Sequence, residues 1–230
     1  INELLKQYFI IYRPKDVVSG DFYWVNQING RTIVATVDCT GHGVPGAMMS
    51  MIGSNLLDRI VRIWEVSSPA EILTLLHKQI RLILRQEHTK NNYGMDISVV
   101  AFEKVNTSYE LTFSGAKTSL YYQEHNTNDF KELKGTRKSI GGKQNEKKQF
   151  QNQSITLEKG SIIYMLTDGL QDQQNQAQEK LGSHRLKAFL FQNAHLSLEA
   201  QKNKLEQMIK ERLEGVEQRD DMLLLACKLS

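Results

Sequence analysis

The dipeptide Asn29-Gly30 lies between two apolar, β-rich runs, residues 22–28 and 32–37. Asn-Gly is the strongest short-range hairpin signal, because both residues accept the positive φ angles of a tight type I′ turn. An antiparallel hairpin brings the outer ends of its strands together, so Asp21 and Asp38 should lie close to each other although they are distant in sequence. The sequence therefore predicts a hairpin that holds two carboxylates at its open end.

Two further aspartates stand at the ends of apolar runs. Asp168 follows residues 161–166 and precedes Gly169, and Asp220 precedes residues 222–229. A carboxylate at a strand end beside a tight turn can point into a cleft while its backbone stays fixed. Several such oxygen ligands together would suit a hard cation, Mg²⁺ or Mn²⁺. Each aspartate taken alone is equally well explained as a strand or turn cap.

Helical patterns follow the hairpin. Apolar residues recur at three- and four-residue spacing from Val44 to Ile63, which predicts an amphipathic helix. A second helix is predicted from the capping box Ser68-Pro69-Ala70-Glu71 to about Gln86. Three methionines of the first helix are expected to fill the core rather than to face a partner: Met48, Met49 and Met51.

The rest of the chain alternates short β-like runs with helical segments. Strands are predicted at residues 8–13, 97–102, 109–113, 119–122, 161–166 and 222–229, and helices at 183–193 and 198–213. The polar stretch 141–153 is predicted to be a mobile loop. Hairpins and meanders interrupted by helix pairs favour an α+β fold with mostly antiparallel sheet over a βαβ array.

Composition limits the class of protein. The 230 residues are 40% hydrophobic, and no Pro/Gly/Ser-rich linker divides them, so a single domain over residues 1–230 is expected. Residues 1–7 are expected to be the end of a helix that connects to an upstream region. The net charge of +3 is too weak, and the basic residues are too dispersed along the chain, to indicate nucleic-acid binding.

The two cysteines, Cys39 and Cys227, both lie inside apolar runs. This is the intracellular pattern of buried thiols, without a disulfide framework or a CxxC metal site. Cys39 is therefore expected to be a core residue and not a nucleophile. No apolar run approaches the roughly 20 residues that a membrane span requires, and no signal peptide is present.

A glycine-rich loop, Gly41-His42-Gly43-Val44-Pro45-Gly46, joins a predicted strand to a predicted helix. It lacks the Lys-Ser/Thr pair of a P-loop, so nucleotide binding by this loop is not favoured. Two interpretations stay open. The glycines make only a tight turn, or an anion approaches the amides at the start of the following helix.

Several segments together resemble the SpoIIE-type serine phosphatase domain, the bacterial branch of the PP2C (PPM) metal-dependent phosphatases. The resemblance begins in residues 9–24 (FIIYRPKDVVSGDFYW) and continues in 38–47 (DCTGHGVPGA), 94–98 (GMDIS) and 113–116 (FSGA). It ends with Thr167-Asp168-Gly169 and Asp220-Asp221-Met222. The motifs follow the family's order over essentially the whole chain. They imply a four-layer α-β-β-α sandwich of two antiparallel sheets flanked by helix pairs.

The resemblance also implies a centre for two Mn²⁺ or Mg²⁺ ions. Asp38 matches the aspartate that bridges the two metals, and Asp168 and Asp220 match the other ligands of the first. Asp21 matches the aspartate of the second metal, directly or through water, and the backbone carbonyl of Cys39 would face the same ion. Asp221 is the alternative to Asp220.

Other positions are assigned less directly. Asp96 and Asp172 either hold a third metal, orient a water or act as structural caps. His42 is either a general acid or a turn-forming hydrogen-bond partner, and the latter is favoured. Arg13 and Lys15 are the cations nearest in sequence to Asp21, on the expected substrate side, and neither matches the phosphate-binding arginine of the eukaryotic relatives.

The function implied is that of a phosphoserine/phosphothreonine protein phosphatase in bacterial, cytoplasmic signalling, with tethering by an upstream region left open. The implied substrate is a STAS-domain anti-sigma-factor antagonist. An upstream sensor would act on the helices that begin near Val44 and Pro69, and a homodimer is expected. Two alternatives stay open: a non-catalytic switch that binds a phosphoprotein or metal, and a hydrolase of small phosphometabolites.

Overall fold

Antiparallel β-sheets form the centre of the computed structural model, which describes residues 1–127, 130–143 and 147–230. The first sheet has the strand order β1-β11-β10-β6-β7, and the second has β2-β3-β4-β5-β9, with a short strand β8 beside β4. The strands are β1 (Tyr8–Arg13), β2 (Phe22–Ile28), β3 (Arg31–Cys39), β4 (Gly94–Val105), β5 (Ser108–Ala116), β6 (Ser119–Gln123), β7 (Phe130–Lys134), β8 (Ile140–Gly141), β9 (Gln153–Glu158), β10 (Ile162–Leu166) and β11 (Met222–Lys228).

The predicted hairpin is confirmed. Phe22 pairs with Val37 at its open end and Ile28 pairs with Arg31 at its turn. Asn29 and Gly30 have φ angles of 49° and 81°, as a tight hairpin turn requires. β4 then pairs with β3, and this pairing adds Asp96 directly opposite Asp38 at the same end of the sheet.

Helices cover the outer faces of both sheets. The helices are α1 (Gly43–Asp58), which a π-helical turn extends over Arg59–Ile63, α2 (Pro69–Ile83), the short α3 (Gly169–Asp172), α4 (Gly182–Asn193) and α5 (Leu198–Arg212). α1 and α2 pack on the second sheet through residues such as Leu57, Leu73 and Ile80. α4 and α5 pack on the first sheet through residues such as Leu190 and Ile209.

A third apolar cluster fills the space between the sheets. It includes Val34 and Val100 of the second sheet and Ile163, Met165 and Leu225 of the first. β10 and β11 are buried along nearly their whole length, because helices cover one face and the other sheet covers the opposite face. The α-β-β-α sandwich predicted from the resemblance is therefore confirmed.

Polar segments depart most from the sequence-based expectations. β7, β8 and β9 were not predicted, and the expected loop 141–153 contains β8's last residue, the buried Phe150 and the first residue of β9. Residues 144–146 of that stretch lie outside the described residues. β9 is an edge strand whose alternate side chains are exposed, so it contains too few apolar residues to be recognised by its pattern.

The methionines of α1 also differ from the prediction. Met49 is buried at 4% exposure, but Met48 and Met51 are 62% and 67% exposed, so the core role assigned to them was wrong. The apolar residues of α1 occupy more of its surface than the sheet can cover. The sheet receives Met49, Gly53 and Leu57, and the other face stays exposed.

The N-terminal segment is a turn where a helix end was expected. The amides of Leu4 and Leu5 both donate to the carbonyl of Ile1, and Leu5 inserts into the cluster between the sheets. Burial of Leu5 stabilises this turn against the sheet, because it removes a large apolar side chain from water. In the described ranges, no helix combines the length and apolar character needed to cross a membrane.

Candidate metal centre and active site

Aspartates from both sheets meet at one end of the sandwich. Asp21 directly precedes β2, Asp38 lies near the end of β3, and Asp96 faces it from β4. From the first sheet, Asp168 follows β10 and Asp220 precedes β11, and these strands are neighbours. The arrangement follows from topology, since antiparallel neighbours place the end of one strand beside the start of the next.

Asp21 is the most deeply buried carboxylate of this group, at 3% exposure. Burial raises its pKa above the ordinary value, a hydrogen bond from Thr167 opposes the rise, and the charges of Asp221, Asp220 and Asp168 add to it. The Thr167 hydroxyl donates to Asp21 Oδ2 over 2.6 Å. This bond crosses from the first sheet to the second, so it fixes the Asp21 side chain relative to both.

Asp38 and Asp168 interact directly. Burial raises the pKa of Asp38 most, followed by the negative charges of Asp21 and Asp168, and the Asp38 carboxyl donates a hydrogen bond to Asp168. Burial is also the main reason for the raised pKa of Asp168, to which Asp172, Asp220 and other carboxylates contribute. Without a cation, mutual repulsion therefore favours a proton on Asp38.

Asp220 and Asp221 have different surroundings. Asp221 is buried, and its two carboxylate oxygens accept backbone hydrogen bonds from Lys15 and Gly20, each over 2.8 Å. Asp221 thereby fastens the loop that leads into Asp21. Asp220 is exposed, and its charge contributes to the raised pKa of both Asp21 and Asp168. The charge of Asp221 also raises the pKa of Asp21, so both residues act on the acidic group.

Glycines allow the supporting loops to come this close. A Cβ on Gly20 would lie 2.6 Å from the carbonyl oxygen of Gly41, so the loop before Asp21 packs directly on the loop after Asp38. A Cβ on Gly169 would lie 1.8 Å from the carbonyl oxygen of Asp221. Both distances are far below van der Waals contact, so neither position has room for a side chain.

Cys39 has the environment of a core residue. Its side chain is buried, and this burial, followed by the charges of Asp38 and Asp21, raises its thiol pKa well above the ordinary value. A thiol held in its neutral form is a poor nucleophile. Its backbone carbonyl lies beside Gly20, within 3.3 Å of where a Cβ would be.

Asp96 and Asp172 lie at the edges of the group. Ser139 donates a hydrogen bond to Asp96 Oδ1 over 2.5 Å, and the Lys117 ammonium is 3.7 Å from Asp96 Oδ2. Burial raises the pKa of Asp96, and these two partners oppose the rise. Asp172 is exposed and forms an ion pair with Lys180 over 2.8 Å.

The cations expected on the substrate side differ in position. The backbone N–H of Lys15 is bound by Asp221, and its ammonium donates to His42 Nε2 over 3.0 Å. The opposite ring nitrogen, Nδ1, is 2.7 Å from Asp16 Oδ2. His42 therefore ties the loop before Asp21 to the start of α1. Arg13 is exposed at the end of β1 and lines a separate groove beside α5.

The side chains that meet here are chemically suited to a cation, although they are not arranged around one. Among the described residues, no group of three or more His, Cys, Asp and Glu side chains is arranged to hold a metal ion as it stands. The chemistry is nevertheless that of a hard divalent ion, because the converging ligands are carboxylate oxygens and the main contributions to the Asp38 pKa, after burial, come from other carboxylates. A cation would relieve the same repulsion that a proton relieves in its absence.

Sequence reasoning missed Thr167, and it considered Asp221 only as the alternative metal ligand to Asp220. Thr167 positions Asp21 and Asp221 fastens the loop before it, although both residues lie in motifs that the resemblance identified. The signal was present in Thr167-Asp168-Gly169 and Asp220-Asp221-Met222. What the sequence does not give is the partner of each side chain across the fold.

The chain is similar to known proteins in sequence and structure. The family described as Stage II sporulation protein E (SpoIIE) matches residues 28–230. No curated protein sequence matches significantly. The SiaA-PP2C domain of Pseudomonas aeruginosa is 31% identical with a TM-score of 0.84, covering 97% of this chain and 86% of that one.

Two more distant structures have the same fold. The PP2C phosphatase domain of SpoIIE from Bacillus subtilis, with a fragment of its regulatory domain, is 18% identical with a TM-score of 0.73, covering 97% of this chain and 61% of that one. RsbX in complex with magnesium is 16% identical with a TM-score of 0.65, covering 97% and 94%. The sandwich is thus common to structures that differ widely in sequence.

Proposed function

Because the chain belongs to the SpoIIE family of PP2C-type serine phosphatase domains, we propose that it hydrolyses phosphoserine or phosphothreonine in a protein with Mn²⁺ or Mg²⁺. The observation that supports this proposal is the meeting of Asp21, Asp38 and Asp168 from two sheets, each with a raised pKa. Packed carboxylates are costly for a fold unless a cation or a proton neutralises them.

In this proposal Asp38, Asp168 and Asp220 would hold one ion. Asp38 would also be a ligand of the second, together with Asp21 and the Cys39 carbonyl, and Asp96 with Asp172 would be the candidate pair for a third. When bound, the ions supply charge neutralisation for the phosphate and a water acidic enough to give hydroxide near neutral pH. The RsbX structure, which contains magnesium, supports a divalent ion in this fold.

The chain's own residues position these ligands. Thr167 holds one oxygen of Asp21, which leaves the other oxygen available to a ligand. Asp221 holds the backbone on both sides of the loop at Lys15 and Gly20, so Asp21 enters β2 from a fixed direction. This pre-organisation matters because misplaced ligands lose affinity and activity even when their identity is retained.

Lys15 is the better candidate of the two cations for contact with the substrate phosphate. Its ammonium is oriented by His42, and His42 is oriented by Asp16, which forms a chain of side chains at the rim of the site. The favoured role of His42 is therefore to position this rim. Val17, fully exposed beside Lys15, extends the rim as an apolar contact for a protein substrate.

We propose a STAS-type anti-sigma-factor antagonist as the substrate, within bacterial cytoplasmic signalling.

We also propose that an upstream sensor controls the domain and that the domain forms a homodimer. The exposed face of α1, including Met48, Met51 and Ile63, supports such a contact. Light scattering should give a dimer that Met48→Gln with Met51→Gln converts to a monomer. A wild-type monomer at all concentrations would contradict it.

The proposed activity is tested with Asp38→Asn and with the control Glu199→Gln, an acid in the first turn of α5. Asp38→Asn should lower Mn²⁺-dependent hydrolysis of a phosphorylated STAS protein and of p-nitrophenyl phosphate by about a hundredfold or more. Calorimetry should show weaker Mn²⁺ binding, while the control keeps wild-type values.

The outcomes separate the competing functions. Unchanged hydrolysis in Asp38→Asn would contradict the proposal. Binding of two ions without turnover of any phosphoprotein would indicate a switch module. Turnover of phosphometabolites but of no phosphoprotein would indicate a small-molecule hydrolase.

A further inference from the structure

A second cavity, away from the acidic end, gathers basic side chains. It has a volume of about 1100 Å³ and lies between α2 and the segment that precedes β9. Lys78, Arg81 and Arg85 come from α2 and the turn after it, and Lys138 and Lys148 form the opposite wall. We call this cavity the basic cleft.

The charge of the basic cleft is high for this chain. Among the described residues that line it, five are Lys or Arg and one, Glu87, is acidic. The whole chain has a net charge of only +3, so the remaining surface is close to neutral. Glu87 lies 3.6 Å from Arg81 and faces one side of the cleft. A concave site with one sign of charge concentrates ligands of the opposite sign.

Apolar groups line the same cavity. Phe150 is buried and meets the ring of His77 edge-to-face, with 6.3 Å between centroids. The Lys138 ammonium is 5.6 Å from the centroid of the Phe150 ring. Leu82 of α2 is 68% exposed at the opposite side. The cleft therefore offers both cations and an apolar surface to one ligand.

The segment 138–141, which begins in the wall of the basic cleft, connects this cleft with the acidic group. The next residue, Ser139, donates to Asp96, and Ile140 pairs with Met95 in β4. The amide of Gly141 then donates to His77 Nδ1 over 2.9 Å. Four consecutive residues therefore contact the cleft, the acidic group and the second sheet. A ligand that fixes Lys138 or His77 also restrains the serine that binds Asp96.

We propose that the basic cleft binds a nucleotide that carries two or more phosphates. Lys and Arg side chains from both walls would contact the phosphates, and Leu82 with the apolar floor would contact the base. The volume of about 1100 Å³ lies just above the usual range of small-molecule sites, about 300 to 1000 Å³, so the cleft has room for a nucleotide. A concave cavity between two walls favours this ligand over a protein partner, which would need a broader surface.

The test uses calorimetry with ATP as the probe, in EDTA and at about 0.15 M salt. EDTA removes divalent ions from the acidic group, so binding does not depend on the proposed phosphatase activity. The variant Lys78→Gln with Arg85→Gln should weaken ATP binding about tenfold or more, since charge-assisted hydrogen bonds are lost. The matched control is Lys104→Gln with Lys204→Gln, which removes two exposed lysines elsewhere and should bind like wild type.

Two further measurements identify which parts of ATP are recognised and where on the protein it binds. Pyrophosphate and adenosine should each bind more weakly than ATP, because each reaches only part of the cleft. Hydrogen exchange should slow at the amides of Gly141 and Gly142, which donate to His77 and Gln86. These measurements do not use catalysis, so a failure here leaves the proposed function intact.

Several results would overturn the proposal. The cleft variant and the control could bind ATP with equal affinity, or pyrophosphate could bind as tightly as ATP. ATP could also slow hydrogen exchange at residues 38–46 and not at Gly141 and Gly142. Binding of an acidic peptide or RNA, with none of ATP, would identify a macromolecular surface and also overturn it. Circular dichroism of all variants establishes that each is folded.

Discussion

The side chain of Asp221 accepts two backbone hydrogen bonds from a loop that is about two hundred residues away in sequence. Its neighbour Asp220 is exposed and contributes charge to the acidic group. Adjacent aspartates in one motif thus have different surroundings, one bound to the loop before Asp21 and one exposed at the acidic group.

We expect Asp221→Asn to affect mainly the stability of the fold and Asp220→Asn to affect mainly metal binding. Asp221→Asn should lower the free energy of unfolding by about 1 to 3 kcal/mol, because an amide nitrogen cannot accept a buried N–H bond. Asp220→Asn should leave the unfolding of the metal-free protein nearly unchanged and weaken Mn²⁺ binding. Urea titration in EDTA and calorimetry measure the two effects. Equal destabilisation by both variants would contradict these assignments.

Thr167 is a positioning residue for Asp21. Thr167→Val has almost the same shape but cannot donate to Asp21, so it should lower Mn²⁺ affinity and kcat by about 10- to 100-fold. Thr167→Ser should restore both, because it retains the hydroxyl. The comparison uses Mn²⁺ titration and steady-state kinetics. A serine variant as impaired as valine would indicate that the methyl group matters and not the hydrogen bond.

At the residue scale, the sequence predicted contacts that depend on local geometry but not contacts between distant segments. The hairpin brought Asp21 and Asp38 together without any family knowledge, because its turn and strand pattern are local. The Thr167–Asp21 bond joins residues 146 positions apart. Hydrophobic periodicity does not identify the partner of a polar side chain. The family resemblance identified the motif that contains Thr167 but not its contact with Asp21.

At the scale of elements, the start of α2 is fixed from outside the helix. The predicted capping box does not form its side-chain cap at Ser68. Instead, Asn152 accepts a hydrogen bond from the amide of Ala70 and donates one to Ser68 Oγ. The segment before β9 therefore replaces the local cap, and it also closes the basic cleft.

Asn152→Ala should destabilise the protein by about 1 kcal/mol, the usual effect of losing a helix cap. Asn203→Ala, an exposed change within α5, is the control and should have little effect. Thermal unfolding followed by circular dichroism measures both. An Asn152→Ala variant as stable as the control would mean that Ser68 caps α2 by itself once Asn152 is absent.

Elements with a strong apolar period were predictable, and short polar ones were not. The π-helical extension of α1, the edge strands β7 and β9, and the two-residue β8 depend on tertiary pairing. The exposed face of α1 was misjudged for a related reason. Periodicity reveals that a helix has apolar faces but does not reveal how many of them the sheet will cover.

At the scale of the whole molecule, acidic side chains from both sheets crowd together at one end of the sandwich. The pKa of Asp21 rises from 3.8 to about 8 in the folded, metal-free protein, mainly because of burial. Such a group stabilises the fold fully below its unfolded pKa and loses that contribution as the pH rises through the folded pKa. Stability without metal should therefore fall between these two values.

We expect the melting temperature in EDTA to decrease from about pH 5 to about pH 8. Asp38→Asn removes a carboxyl that stays protonated in the folded, metal-free protein but ionises in the unfolded chain. Its decrease should therefore be smaller and its melting temperature at neutral pH higher than that of wild type. Saturating Mn²⁺ should stabilise wild type more than the variant. Wild type in EDTA that becomes more stable with rising pH would contradict this account.

The arrangement of the whole molecule was predicted through the resemblance rather than through physics alone. Local patterns indicated antiparallel sheet and helix pairs, but sheet order depends on contacts between distant strands. The basic cleft shows the same limit, since its cations are dispersed along the sequence and only the fold collects them. A single domain over residues 1–230 stays a prediction.

Strand β11 lies between β1 and β10 in the first sheet although it is the last of these three to be synthesised. A ribosome therefore releases β1 and the hairpin with Asp21 and Asp38 long before their neighbours exist. Until β11 emerges, β1 lacks its partner strand in the first sheet, and Asp220, Asp221 and the β11 partner of Thr167 are missing. The acidic group is therefore completed only when β11 inserts between β1 and β10.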